Sequence, residues 1–192
     1  MIGFNRRYRT VVLSFLAMGL SAIFVFGSSQ SKLTQVDGRI SMPLGTTPGQ
    51  VTVNGANAIS GATVFSDSTI TTAARSSAVV SLGKLGRVEV HESSTMKLNF
   101  TNTSISVSML EAGRVRVSAS GGTGAQATTS DGEVIGTSRK LNSFTVDTSC
   151  GNTFVSVQKG TVELRAGSTV KQIAAGSQDS AGTARPGCTP AP

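Results

Sequence analysis

From about residue 50 onward, apolar and polar positions alternate in short runs instead of recurring at helical spacing. Met96, Leu98 and Phe100 fall on one side while Lys97 and Asn99 fall on the other, and Val115 and Val117 alternate with Arg114 and Arg116 in the same way. A period of two residues places such sets on opposite faces of a pleated strand, one for a core and one for water. One five-residue unit carries this pattern five times: Gly, any residue, Val or Ile, any residue, then an apolar residue. Its copies begin at Gly38, Gly49, Gly86, Gly113 and Gly160. Each reads as a turn glycine feeding a strand. The starts lie 11, 37, 27 and 47 residues apart, so no fixed repeat length is present.

The pattern predicts strands near 51–53, 63–65, 69–72, 78–82, 87–91, 96–100, 105–110 and 114–119, then near 127–129, 143–147, 153–158, 162–165 and 170–173. Clusters of Gly, Asn, Asp or Ser separate them, and the Gly121–Gly124 stretch reads as a hairpin loop. This rhythm predicts an all-β fold: a single domain of many short strands, a β-sandwich or β-roll with β-helix-like stacking. One hydrophobic helix is expected ahead of it. Residues 28–49 are polar and broken by Pro43 and Pro48, and read as a linker with at most one short strand at 39–42. The domain is expected over 50–178, and residues 179–192 as a flexible tail of loose coil beginning around Gln178.

The amino-terminal end changes the picture from fold to location. Met1 to Arg9 is basic, and Thr10 to Gly27 is almost wholly apolar. That order reads as a secretion signal, and the run is also nearly long enough to span a bilayer. Residues 1–27 are therefore either a leader cleaved before Ser28 or an anchor that holds the protein in the inner membrane through residues 10–27. Both readings place the chain beyond Gly27 outside the cytoplasm, in a bacterial periplasm or at the cell surface. A pilin-like leader is discounted because Tyr8 stands where an acidic residue is needed, and no cysteine stands in a lipidation position. Three of the arginines behind the formal charge of +7 (Arg6, Arg7 and Arg9) lie in this leader, leaving +4 for the rest. That modest excess, with no Trp and with the single Tyr inside the leader, argues against nucleic acid as a partner.

Candidate chemistry is sparse. His91 is the only histidine; alternation puts it on the polar side with Glu89, where an exposed strand histidine is expected. Glu92 is beside it, but the ligand set of a metal site is missing. Asp131 and Glu133 are better explained by a turn at Asp131-Gly132 than by an acid pair. No nucleophile turn and no phosphate loop occur, so no catalytic residue, cofactor or metal is assigned and the chain is not read as an enzyme. Cys150 and Cys188 are the informative pair, since two cysteines in an exported chain most often form a disulfide. The alternatives are two free thiols or a bridge to another chain. Arg87, Arg114 and Arg116 face outward on related strands and form a candidate interaction face for an acidic partner. The plainer reading, which we prefer, is cross-strand pairing with Glu89 and Glu163 on a solvated face. Asn99 and Asn102 each open a glycosylation pattern that matters only in a eukaryotic secretory pathway.

The order of motifs carries a resemblance. Val51-Thr52-Val53-Asn54-Gly55 is followed by Ser60-Gly61-Ala62-Thr63-Val64, an apolar run over 78–82 and Gly86-Arg87-Val88-Glu89-Val90. Then come Leu110-Glu111-Ala112-Gly113-Arg114-Val115-Arg116-Val117, Phe144-Thr145-Val146, Val155-Ser156-Val157-Gln158-Lys159-Gly160-Thr161-Val162-Glu163-Leu164 and Ile173-Ala174-Ala175-Gly176-Ser177-Gln178. This set, spanning about Val51 to Gln178, resembles the FecR domain, the extracytoplasmic part of ferric-dicitrate-type regulators. The resemblance implies a β module acting in envelope sensing or protein–protein contact, with an unidentified envelope protein as partner. Regulators of that family carry a cytoplasmic part that handles a sigma factor; only nine residues precede the apolar run here, so that activity is not carried over. The family's compact Gly-Thr-x-Phe step is also stretched, with Gly136-Thr137 separated from Phe144 by a polar insert. The alternative is a structural cell-surface protein that self-associates through strand edges. A carbohydrate-binding or hydrolytic domain ranks last, for want of aromatic platforms and a carboxylate pair.

Overall fold

A computed structural model describes residues 37–190 apart from 45 and 48. The leader, the hydrophobic helix expected over 10–27, and the polar stretch up to residue 36 lie outside the described residues. The strands run in chain order from β1 (Gly38–Ser41), β2 (Val51–Val53), β3 (Ala56–Asn57), β4 (Thr63–Val64), β5 (Ser68–Thr72) and β6 (Ala78–Ser81). Next are β7 (Gly86–Val90), β8 (Ser94–Phe100), β9 (Ser104–Met109), β10 (Arg114–Ala119), β11 (Gly124–Thr128) and β12 (Glu133–Gly136). The last are β13 (Asn142–Asp147), β14 (Thr153–Lys159), β15 (Thr161–Ala166), β16 (Thr169–Ala174) and β17 (Gln178–Ala181). A single 3₁₀ turn, Gly83–Leu85, is the only helical element among the described residues.

These strands form two sheets in a sandwich-like arrangement. One is eight-stranded in the order β17-β14-β13-β10-β7-β6-β1-β4; the other is nine-stranded in the order β16-β15-β12-β11-β9-β8-β5-β2-β3. In both, spatial order nearly tracks chain order, because the chain changes sheet after every one or two strands. A lone hairpin cannot bury its apolar face in water, and the facing sheet supplies what it lacks. Along β8 and β10 every second residue is buried. The inward side chains merge into one core containing Phe144, Ile40, Ile70, Met96, Leu98 and Leu164. Full burial of each such side chain contributes on the order of 1.5–3 kcal/mol. Among the described residues the one parallel pair is β9 with β11, made because the chain passes through β10 in the opposite sheet between them.

Several expectations need correction. The short strand expected at 39–42 is present as β1, but it is built into the sheet instead of lying in a tether: it sits between β4 and β6 with Ile40 only 1% exposed. The chain from Gln178 is not coil at first, since β17 pairs antiparallel with β14. The Gly121–Gly124 stretch is not a hairpin loop, because it carries the chain from β10 in one sheet to β11 in the other. Strands β3 and β12 had no counterpart in the expected set; β12 is paired on both sides, by β11 and β15. The turn at Asp131-Gly132 does join β11 to β12, where the Thr129 N–H donates to the Gly132 carbonyl at 2.9 Å.

Candidate functional site

The outward face of the eight-stranded sheet carries the residues singled out by sequence. In β10, Val115 and Val117 enter the core, so Arg114 and Arg116 must stand on the other side. The registers then fix their neighbours. Arg116 lies opposite Glu89 of β7 and Thr145 of β13, and Arg114 lies opposite Asp147. Beyond β13, Phe154 is registered with Asp147 and Ser156 with Thr145.

Arg114 Nε donates to Asp147 Oδ2 at 3.0 Å, and the Ser149 N–H donates to Asp147 Oδ1 at 2.8 Å. The Asp147 carboxylate, 3% exposed, is thus held on both oxygens. Arg116 is held more loosely. Its Nε donates to Thr145 Oγ1 at 3.3 Å, and its Nη1 is 3.5 Å from Glu89 Oε2. Glu89 also receives Arg87 Nε at 2.8 Å, so one carboxylate serves two guanidinium groups. Cross-strand pairing with Glu89 therefore exists as expected. Glu163 takes no part: it lies on the nine-stranded sheet and pairs with Arg165 at 2.7 Å. Arg87 shares the face but lines a separate hollow with Ser81, Gly86 and Ser118.

Arg114 and Arg116 line a groove of about 340 Å³ together with Thr145, Asp147, Phe154 and Gln158. Its remaining wall includes Thr189 and Pro190 of the carboxy-terminal segment. That segment is strapped down by the Cys150–Cys188 disulfide, which closes a separation of 38 residues. Arg185 fastens it again, its N–H donating to the Cys150 carbonyl at 2.9 Å and its guanidinium to the Ser149 carbonyl. Sequence reading found both arginines and both cysteines but not Asp147 or Phe154. Their place beside β10 depends on which strand lies next to it, and nothing local in the sequence says so.

His91 departs from its expected exposure. It follows the last residue of β7 and is half-buried, in a neighbouring cleft of about 420 Å³ lined by Glu92, Gly113, Arg114, Asp147 and Ser149. Its N–H donates to the Arg114 carbonyl at 3.0 Å, while its Nε2 is buried with no hydrogen-bond partner. Burial, and then the charges of Arg114 and Arg116, hold its pKa below the ordinary value against the opposing pull of Glu89 and Asp147. The ring is neutral at neutral pH. Among the described residues no three His, Cys, Asp or Glu side chains gather as a metal set. The arrangement suits reversible binding of a polar or anionic group. Neither protein-family models nor curated proteins give a match to this chain.

Proposed function

We propose that this protein is an exported, non-catalytic β module of FecR type that acts by binding another envelope protein. The observation that carries the reading is the groove on the outer sheet face, where two arginines, an aromatic ring and a row of hydroxyl and amide groups converge. Two further features support it. The FecR-like motifs fall on strands of both sheets, among them β2, β6, β7, β10, β13, β14 and β15, and β9 pairs parallel with β11 after a passage through the opposite sheet, as neighbouring coils of a roll do. The disulfide fits an oxidising compartment outside the cytoplasm. Affinity capture from the envelope fraction with the full chain is expected to recover a protein partner in near-stoichiometric amount. Recovery no better than with a sequence-scrambled domain contradicts the reading.

A second reading, a surface protein that assembles through strand edges, has one observation in its favour. The β3 and β4 edges have no further strand beside them among the described residues, and Ile59 and Phe65 are exposed nearby. The opposite end argues against it: on edge strand β16, Lys171 points to the same side as buried Ile173 and reaches Asp179 at 2.7 Å. An inward-pointing charge on an edge strand discourages pairing with another chain. A purified chain that stays monomeric at high concentration in sedimentation velocity contradicts this second reading.

A further inference from the structure

We propose that the groove beside β10 binds the carboxylate of an acidic, extended peptide segment of the partner protein, with Arg116 as the anion-binding group. The proposal rests on the binding-module reading above and names the chemistry of what is bound. Charge placement singles out Arg116. Asp147 lies against Arg114 at 3.0 Å, and Glu89 is taken at 2.8 Å by Arg87 but stands 3.5 Å from Arg116. Of the two arginines that line the groove, Arg116 is therefore the one less closely held by a carboxylate, and its side chain is 38% exposed. A guanidinium presents five donors in a planar fork that matches a carboxylate, and its two present contacts, at 3.3 and 3.5 Å, are long for charged hydrogen bonds.

The surroundings suit a peptide. Arg114 and Arg116 are two residues apart on one strand face, so their backbone positions are about 7 Å apart, the repeat of same-side residues in an extended peptide. A glutamate set on Arg116 places the next same-side residue over the Arg114–Asp147 pair. Phe154 supplies an apolar patch, and Thr189 and Pro190 a wall that the disulfide keeps in place. Thr145 Oγ1 already accepts from both Arg116 and Gln158 Nε2, the latter at 3.1 Å, which orients the guanidinium across the groove.

The test is fluorescence anisotropy of the full chain at low ionic strength with a labelled octapeptide of alternating Thr and Glu. Its counterpart of alternating Thr and Gln is the neutral control, and trigalacturonate is a competing acidic glycan. The Glu peptide is expected to bind about tenfold tighter than the Gln peptide. Arg116→Gln removes that preference, whereas Arg39→Gln, an exposed arginine at the other end of the same sheet, leaves it intact. On titration the amide NMR signals of Thr145 and Gln158 move. A preference that survives Arg116→Gln, equal binding of the two peptides, or binding of trigalacturonate in place of the peptide overturns the proposal. If it falls while envelope capture still succeeds, the groove assignment fails and the binding-module reading stands.

Discussion

Asp147 ties three parts of the outer face together, because its two oxygens hold the Arg114 side chain and the Ser149 backbone, next to the half-cystine Cys150. Replacing one partner of a buried charged pair leaves the other poorly satisfied. Asp147→Asn is expected to cost about 2 kcal/mol in urea unfolding, the range for hydrogen bonds to charged groups. His91 makes a second residue-scale prediction. Its folded-state pKa lies below the ordinary 6.5, so the unfolded chain takes up a proton first as pH falls. Stability from the neutral ring is fully present above 6.5 and is lost as pH drops toward the lowered value. His91→Gln is expected to flatten the fall in thermal midpoint just below that pH, and an unchanged slope in the variant contradicts the assignment. Gly160 shows why one glycine of the repeated unit is fixed: φ is +82°, and a Cβ would lie 2.1 Å from Asn142 Oδ1. Gly160→Ala should therefore cost more than the roughly 1 kcal/mol of a strained backbone alone, read by the same urea titration.

At the scale of elements, what makes a strand legible is a difference between its faces. Strands β8 and β10 are readable because Met96, Leu98 and Phe100, or Val115 and Val117, alternate with polar residues. Strand β17, Gln178-Asp179-Ser180-Ala181, buries only Ala181 and is made by backbone pairing with β14, so no pattern announces it. Strand β1 has a single large apolar inward side chain, Ile40, and a proline-broken loop after it, yet that side chain is fully in the core. Ile40→Ala is expected to cost about 2–5 kcal/mol, which a mere linker residue would not. The candidate site divides the same way. Outward arginines can be read from alternation, whereas Asp147 and Phe154 reach them through registers between strands distant in sequence. Edge protection is likewise an element property. Lys171→Val removes the inward charge from β16 and is expected to shift the chain from monomer toward dimer or larger species in sedimentation velocity.

Over the whole molecule, spatial order follows chain order, with β3 and β4 at one end of the sandwich and β16 and β17 at the other. The two ends are finished differently. The β3 and β4 edges are strands of two residues each, too short to template much pairing. The far end is closed by the Lys171–Asp179 ion pair and by the disulfide that returns the last described residues to the groove. Closing a loop of that length contributes roughly 3–4 kcal/mol through the unfolded chain. Cys150→Ser with Cys188→Ser should lower stability by about that amount while the sheet spectrum persists. The central claim is that the outer face of the eight-stranded sheet meets another protein. Photo-crosslinking in the producing cells tests it most directly, with a benzophenone amino acid placed at Ser156 in the groove or at Thr95 on the outer face of the other sheet. The account predicts a discrete adduct with a different envelope protein from Ser156 and none from Thr95. Adducts from both positions alike, or from Ser156 only to a second copy of this chain, contradict it.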